Sequence, residues 1–185
     1  MSQEVIMHKN VESILISEQK LEKIVNTLAK QIEKDYNDKE FIMVGLLKGS
    51  IAFMADLMKK IDLDFKIDFM VASSYGSGTE SSGKVKIKKD TGYDVKNKNI
   101  LIVEDIVDSG NTLNFVCNYL VSRGAAEVKV VTLCDKPSRR KVPFEPDYVG
   151  QVIPDEFIVG YGLDYDELYR NLPYIGVLKR SVYEK

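Results

Sequence analysis

One stretch near the middle of the chain, NILIVEDIVDSGNT (99–112), restricts the fold more than any other. Ile100 to Val103 is a continuous apolar, largely β-branched run, too short for a helix and too uniformly apolar for a strand with one wet face. It predicts a strand buried on both faces. Beyond Thr112 the period changes, because Leu113, Val116, Cys117, Leu120 and Val121 share one face of a helix that Arg123 and Gly124 can end. A second apolar run, Val128 to Leu133, follows at once. Strand, helix and strand in succession make a βαβ unit, so the fold class is α/β with a mostly parallel sheet flanked by helices. In such units ligands bind at the carboxyl ends of the strands. The strand-to-helix turn is expected to span Glu104 to Thr112.

The chemistry of that turn is divided. Asp108, Ser109, Gly110, Asn111 and Thr112 offer consecutive backbone N–H groups at a helix N-terminus, with Gly110 free to take a positive φ, which suits a phosphate. Glu104 and Asp105 accept hydrogen bonds only when ionised and would repel a phosphate placed on them. A sugar phosphate answers both demands, since its hydroxyls donate to the carboxylates while its phosphate rests on the amides. The plainer alternative is that Asp108 and Ser109 cap the helix, which leaves Glu104 and Asp105 without a purpose.

A second strand, polar turn and helix comes earlier in the chain. Phe41 to Leu47 is a buried-strand run, Lys48, Gly49 and Ser50 follow, and Phe53, Met54, Leu57 and Met58 trace a short helix. Lys48 brings a positive charge and Gly49 a bare backbone, so a second phosphate can dock here, although the spacing is not that of a P-loop. Val11 to Ile16 predicts a strand, Ser17 a helix cap, and Leu21, Ile24, Val25, Leu28 and Ile32 a packing stripe. Phe65 to Ala72 predicts a third strand, followed by a Gly-, Ser- and Lys-rich loop. His8, the sole histidine, falls in the polar N-terminal stretch and reads as a tail residue, so histidine is not expected to be a catalytic base. The last stretch, from Glu145, carries short strands broken by Pro146, Pro154 and Pro173 and suits a small subdomain over the sheet edge.

Composition narrows the functional classes. A chain of 185 residues with 44% hydrophobic content suits one domain with a real core. A formal charge of -2 gives no general attraction to nucleic acid. Cys117 and Cys134 lack metal-ligand spacing and read as small core residues in a reducing compartment. With neither a signal-peptide core nor a membrane-length apolar stretch, a cytoplasmic protein is expected, with no membrane partner.

Several motifs, in order along the chain, carry a family resemblance. VEDIVDSGNTL (103–113) resembles the phosphoribosyl-diphosphate signature of type I phosphoribosyltransferases, in particular the 6-oxopurine branch that acts on hypoxanthine and guanine. LLKGS (46–50) is similar to that family's diphosphate loop, which implies a cis peptide between Leu47 and Lys48. The loop after the third strand resembles the mobile lid, about residues 73–92, in which Ser74 and Tyr75 fold over the diphosphate. Lys136 matches the lysine that contacts the purine 6-oxygen, and FIVGYGLDYDELYR (157–170) resembles the purine-binding hood.

The resemblance assigns roles along this chain. The fold would be the type I phosphoribosyltransferase fold, a single domain over 1–185 with a core at about 37–135 and a hood from the N-terminal segment and about 136–185. Glu104 and Asp105 would hold the ribose hydroxyls, and Asp108, Ser109, Gly110, Asn111 and Thr112 the 5′-phosphate. Lys48, Gly49 and Arg170 would bind diphosphate, while Lys136, Phe157 and Ile158 bind the purine, Phe157 by stacking and Ile158 through its backbone. Asp164, at the end of the purine segment, would hold Mg2+ together with Glu104 and Asp105. Asp108 becomes the candidate general base at purine N7. Asn111 stands where some members have lysine, which removes one positive charge from the phosphate loop, and Arg139 and Arg140 receive no role. The expected partners are phosphoribosyl diphosphate and a 6-oxopurine, with no nucleic acid, in a homodimer or homotetramer. Two alternatives stay open: a phosphoribosyl-fold regulator that binds nucleic acid, and a transferase for xanthine, adenine or a pyrimidine. The near-neutral charge and Lys136, which can only donate, weigh against the regulator and against adenine respectively.

Overall fold

The structure is a computed structural model that describes residues 6–74 and 85–184. Two sheets organise the chain. The larger has six strands, β2 (Phe41–Leu46), β3 (Lys66–Ser74), β4 (Val85–Lys89), β5 (Asn99–Val107), β6 (Glu127–Asp135) and β7 (Tyr148–Val152), in the order β4-β3-β2-β5-β6-β7. All its pairings are parallel except that of β3 with β4. The smaller, antiparallel sheet joins the two ends of the chain, in the order β1 (Val11–Ile16), β9 (Ile175–Leu178) and β8 (Ile158–Val159).

The burial of β5 on both faces follows from its alternation. Leu101 and Val103 pack with residues of α1 (Glu18–Tyr36) and α2 (Ile51–Met58), while Ile100 and Ile102 pack with Leu113, Val116 and Leu120 of α3 (Asn111–Ser122). Helix α1 starts at Ser17, whose Oγ accepts from Lys20 N at 3.3 Å, and buries Leu21, Val25, Leu28, Ala29 and Ile32. A short helix, α4 (Arg180–Tyr183), closes the described chain.

Three expectations need correcting. Strand β5 continues through Glu104 and Asp105 to Val107, because its ladder with β6 runs on to Ile106↔Cys134 and Val107↔Asp135. The acidic pair therefore sits on a paired strand, and the turn proper shrinks to residues 108–110. Tyr148–Val152, expected in the small subdomain, is the edge strand of the large sheet, and the N-terminal helix α1 packs on that sheet too. His8 is no loose tail: its N–H donates to Tyr174 Oη at 2.8 Å, its Nδ1 accepts from Asn10 N at 3.2 Å, and its ring lies edge-on to Tyr169.

Chain order along the large sheet reverses between β2 and β5, and a switch point of this kind opens a crevice at the carboxyl ends of the two strands. Parallel register sets Gly45 beside Val103, so the turn after β2 lies against the acidic pair of β5.

Candidate active site

At the switch point the turn after β2 carries Lys48 and Gly49, and the peptide between Leu47 and Lys48 is cis. Ser50 is fully buried, and its hydroxyl donates to Leu46 O at 2.7 Å, pinning the turn to the end of the strand. Gly49 has a second reason to lack a side chain, because a Cβ there would stand 1.9 Å from Asp105 Oδ2. Gly162, with φ +102°, presses from the hood side, and its own Cβ would come within 2.0 Å of Gly49 O.

Asp105 is buried and Glu104 half-buried, and the pair is strained electrostatically. Burial, followed by the neighbouring charge of Asp105, pushes the Glu104 carboxyl well above its usual range, and burial also raises that of Asp105. Among the described residues Glu104 Oε2 is buried with no hydrogen-bond partner, and Asp105 Oδ1 accepts from Ile106 N at 2.9 Å. A buried orphan oxygen of this kind calls for a donor or a cation from outside the chain.

Gly110 takes φ 80° at the start of α3 and is hemmed in by Arg140, Val142 and Phe144. The capping alternative fails for Asp108, whose Oδ1 accepts from Arg139 Nε at 3.0 Å, while Ser109 Oγ does accept from Asn111 N at 3.4 Å at the start of the helix. Arg139 also reaches Asp155 at 3.4 Å. Arg140, like Arg139, was invisible to sequence reasoning as a site residue, and it holds the turn from beneath. Its guanidinium donates to the carbonyls of Val107 at 3.1 Å and Asp108 at 2.6 Å, and it pairs with the buried carboxylate of Asp135. The one signal in the sequence is the doubled arginine in the turn that follows β6.

Two clefts meet at Asp108. One, of about 320 Å³, is bounded by Glu104, Ser109, Gly110 and Thr112; the other, of about 470 Å³, by Asp105, Lys136, Phe157, Ile158 and Asp164. Ile106 and Asp108 line both. Lys136 is buried and commits one donor to Glu156 O at 2.6 Å, with Asp155 at 3.9 Å. Phe157 is 38% exposed and stacks on Tyr183 with ring centroids 4.8 Å apart, a neighbour set by tertiary packing rather than by local pattern. Ile158 is buried in the antiparallel ladder opposite Val177.

Asp164 is already engaged: its Oδ1 meets Arg170 Nη1 at 2.9 Å and its Oδ2 accepts from Glu167 N at 2.9 Å. Lys48 and Arg170 converge on Glu167; none of the three lines either cleft, and Arg170 lines a separate cavity with Leu21, Ala52 and Tyr161. Asn111 and Thr112 open α3 beside the phosphate turn. Ser74 ends β3, and Tyr75 lies outside the described residues. Among the described residues no three acidic, histidine or cysteine side chains are grouped to hold a metal ion by themselves, and no helix is long and apolar enough to cross a membrane.

A phosphate-sized turn, an acidic pair and a lysine-bearing loop at one switch point define a phosphoribosyltransferase. The family profile described as "Phosphoribosyl transferase domain" matches residues 11–166, and the chain belongs to that family. Within it, the chain is 52% identical over 179 residues to a hypoxanthine-guanine phosphoribosyltransferase of Staphylococcus epidermidis, covering 97% of this chain and 100% of that one. The crystal structure of a hypoxanthine phosphoribosyltransferase from Staphylococcus aureus superposes with a TM-score of 0.94 at 51% identity, over 99% of this chain and 100% of that one. A hypoxanthine-guanine phosphoribosyltransferase from Bacillus anthracis, with a HEPES molecule in its active site, gives a TM-score of 0.87 at 48% identity, over 91% and 99% of the two chains.

Proposed function

We propose that this protein is a purine-salvage enzyme, transferring ribose 5-phosphate from phosphoribosyl diphosphate to N9 of hypoxanthine or guanine. The products are the nucleoside monophosphate and diphosphate. The observation that carries the choice of base is Lys136, a buried ammonium in the same cleft as Asp108 and the exposed ring of Phe157. An ammonium only donates, so it pairs with a 6-keto oxygen and opposes a 6-amino group.

The chain's residues divide the work. The amides of Asp108 to Thr112 hold the 5′-phosphate at the start of α3, and the ribose hydroxyls donate to Glu104 and Asp105. As the bond from C1′ to the diphosphate oxygen breaks, the sugar becomes cationic, and the acidic pair stabilises that charge. Burial raises the pKa of both acids, and a positive charge developing beside them opposes that rise. Lys48, Gly49 and Arg170 take the leaving diphosphate. Purine N9 donates its electron pair to C1′ while Asp108 accepts the proton from N7, and Lys136 holds the 6-oxygen. The lid, with Ser74 and Tyr75, excludes water from the reacting sugar.

Mg2+ fits the donor set. The ligands are hard oxygens, one of them the orphaned Glu104 Oε2, and magnesium takes one or two carboxylates and completes its shell with substrate phosphates and water. Glu104 and Asp105 on β5, or Asp164 from the separate 157–170 segment, would supply the one or two carboxylates, and the ion's charge would offset that of the diphosphate. A cytoplasmic homodimer or homotetramer completes the reading.

Spectrophotometric assay of hypoxanthine, guanine and adenine with phosphoribosyl diphosphate and magnesium tests it. Nucleotide formation from the two oxopurines and not from adenine is expected. Turnover of adenine at a comparable rate, or no product from either oxopurine, would overturn it.

A further inference from the structure

Lys48 and Arg170 come from separate loops, yet both reach one carboxylate oxygen. Lys48 Nζ lies 3.0 Å from Glu167 Oε2, and Arg170 Nη2 donates to that same oxygen at 3.0 Å. The second arm of Arg170 is held by Gly162 O at 2.7 Å and Asp164 at 2.9 Å, so its fork is spread between the two acids. Glu167 is presented by a tight turn, with φ +63° and its N–H on Asp164 Oδ2. These pairs add little to the fold, because the side chains of Glu167 and Lys48 are 62% and 67% exposed and such pairs are weak. What they do accomplish is to place an anion between the two cations.

We propose that Glu167 is an anionic stand-in for diphosphate: it occupies the bridge between Lys48 and Arg170 in the resting site, gives way to the ligand, and returns to displace it. The inference rests on the assignment of Lys48 and Arg170 to the diphosphate. The exchange needs no rearrangement of the core. Lys48 and Arg170 pass from one anion to another, and the exposed Glu167 carboxylate turns into water. Glu167 thereby weakens diphosphate binding in both directions, at a gain in the rate of product release.

Glu167→Gln keeps the shape and removes the charge. Calorimetric titration of inorganic diphosphate with magnesium into the full chain, for wild type, Glu167→Gln and Lys48→Met, gives the test. Glu167→Gln is expected to tighten binding about threefold to tenfold, as two exposed ion pairs and one like charge are lost. The gain should shrink as salt rises. Affinity for the nucleotide product, whose phosphate uses the 108–112 loop, should be unchanged. Equal or weaker diphosphate binding by Glu167→Gln, alongside weaker binding by Lys48→Met, would overturn the stand-in and leave the diphosphate assignment intact. Lys48→Met binding as wild type would overturn both. An equal gain for the nucleotide product would also overturn it, by showing a general charge effect.

Discussion

Gly49→Ala probes the point where the two loops of the site touch. The new Cβ would stand 1.9 Å from Oδ2, 2.6 Å from Cγ and 3.0 Å from Oδ1 of Asp105, distances that real methyl groups do not adopt. Relief by moving Asp105 is blocked, because that carboxyl is 7% exposed and gives up its bond from Ile106 N if it swings. Retreat of the Gly49 backbone is blocked as well, since Gly162 is packed so closely that its own Cβ would lie 2.0 Å from Gly49 O. Overpacking of this kind costs about 1–3 kcal/mol. At roughly 2–4 °C per kcal/mol for a chain of this size, Tm should fall by about 2–12 °C. The functional loss is expected to be larger in proportion. The clash separates the loop proposed to bind diphosphate from the acid proposed to bind ribose by about 1 Å, and a misplacement of that size costs on the order of 10²-fold in kcat/KM for phosphoribosyl diphosphate. Scanning calorimetry and initial rates measure the two effects. Wild-type Tm together with wild-type kcat/KM would refute the claim that Gly49 is required by its contact with Asp105.

Other perturbations reach other parts of the account. Lys136→Gln replaces a group that can only donate with one that can also accept, so the preference for hypoxanthine over adenine in kcat/KM should narrow by about tenfold to a hundredfold. An unchanged ratio would remove Lys136 from base selection. Just past β4, burial works to raise the Asp90 carboxyl, but the Tyr119 hydroxyl, the Thr91 amide and the Arg123 guanidinium outweigh it and hold the pKa below the usual range. A depressed carboxylate stabilises the fold above its unfolded pKa and loses that contribution as pH falls through the folded one. Asp90→Asn should therefore lower Tm at pH 7, cost progressively less as pH falls below about 4, and cost nothing once pH is below the folded-state pKa, as thermal melts across pH would register. A pH-independent difference would show that the effect is steric.

Much of the fold was legible because it rests on local pattern. The period change between Ile100 and Leu133 yields the βαβ unit, and Ser17 with the stripe from Leu21 to Ile32 yields α1. What escaped depends on pairing between distant segments. The continuation of β5 through Glu104 and Asp105 is enforced by β6, which no reading of two charged residues in isolation suggests. Tyr148–Val152 is short and bracketed by Pro146 and Pro154, so its place beside β6 is set by packing rather than by its own pattern.

The site divides in the same way. The acidic pair, the 108–112 turn and the Lys48 loop announce themselves, since their residue types are costly to keep together without a ligand. Arg139, Arg140, Glu167 and Tyr183 do not, because charged and aromatic side chains on a surface acquire meaning only from what they face. Arg140 gains a role from the carbonyls of Val107 and Asp108, and Glu167 from the convergence of Lys48 and Arg170.

The central claim is that Asp108 removes the N7 proton rather than capping α3. Asp108→Asn preserves the shape and a hydrogen bond to Arg139, while abolishing proton acceptance. Steady-state kinetics with hypoxanthine should show kcat reduced by about 10²-fold or more, with KM for phosphoribosyl diphosphate largely unchanged. Turnover equal to that of the wild type would contradict the account and return Asp108 to a structural role.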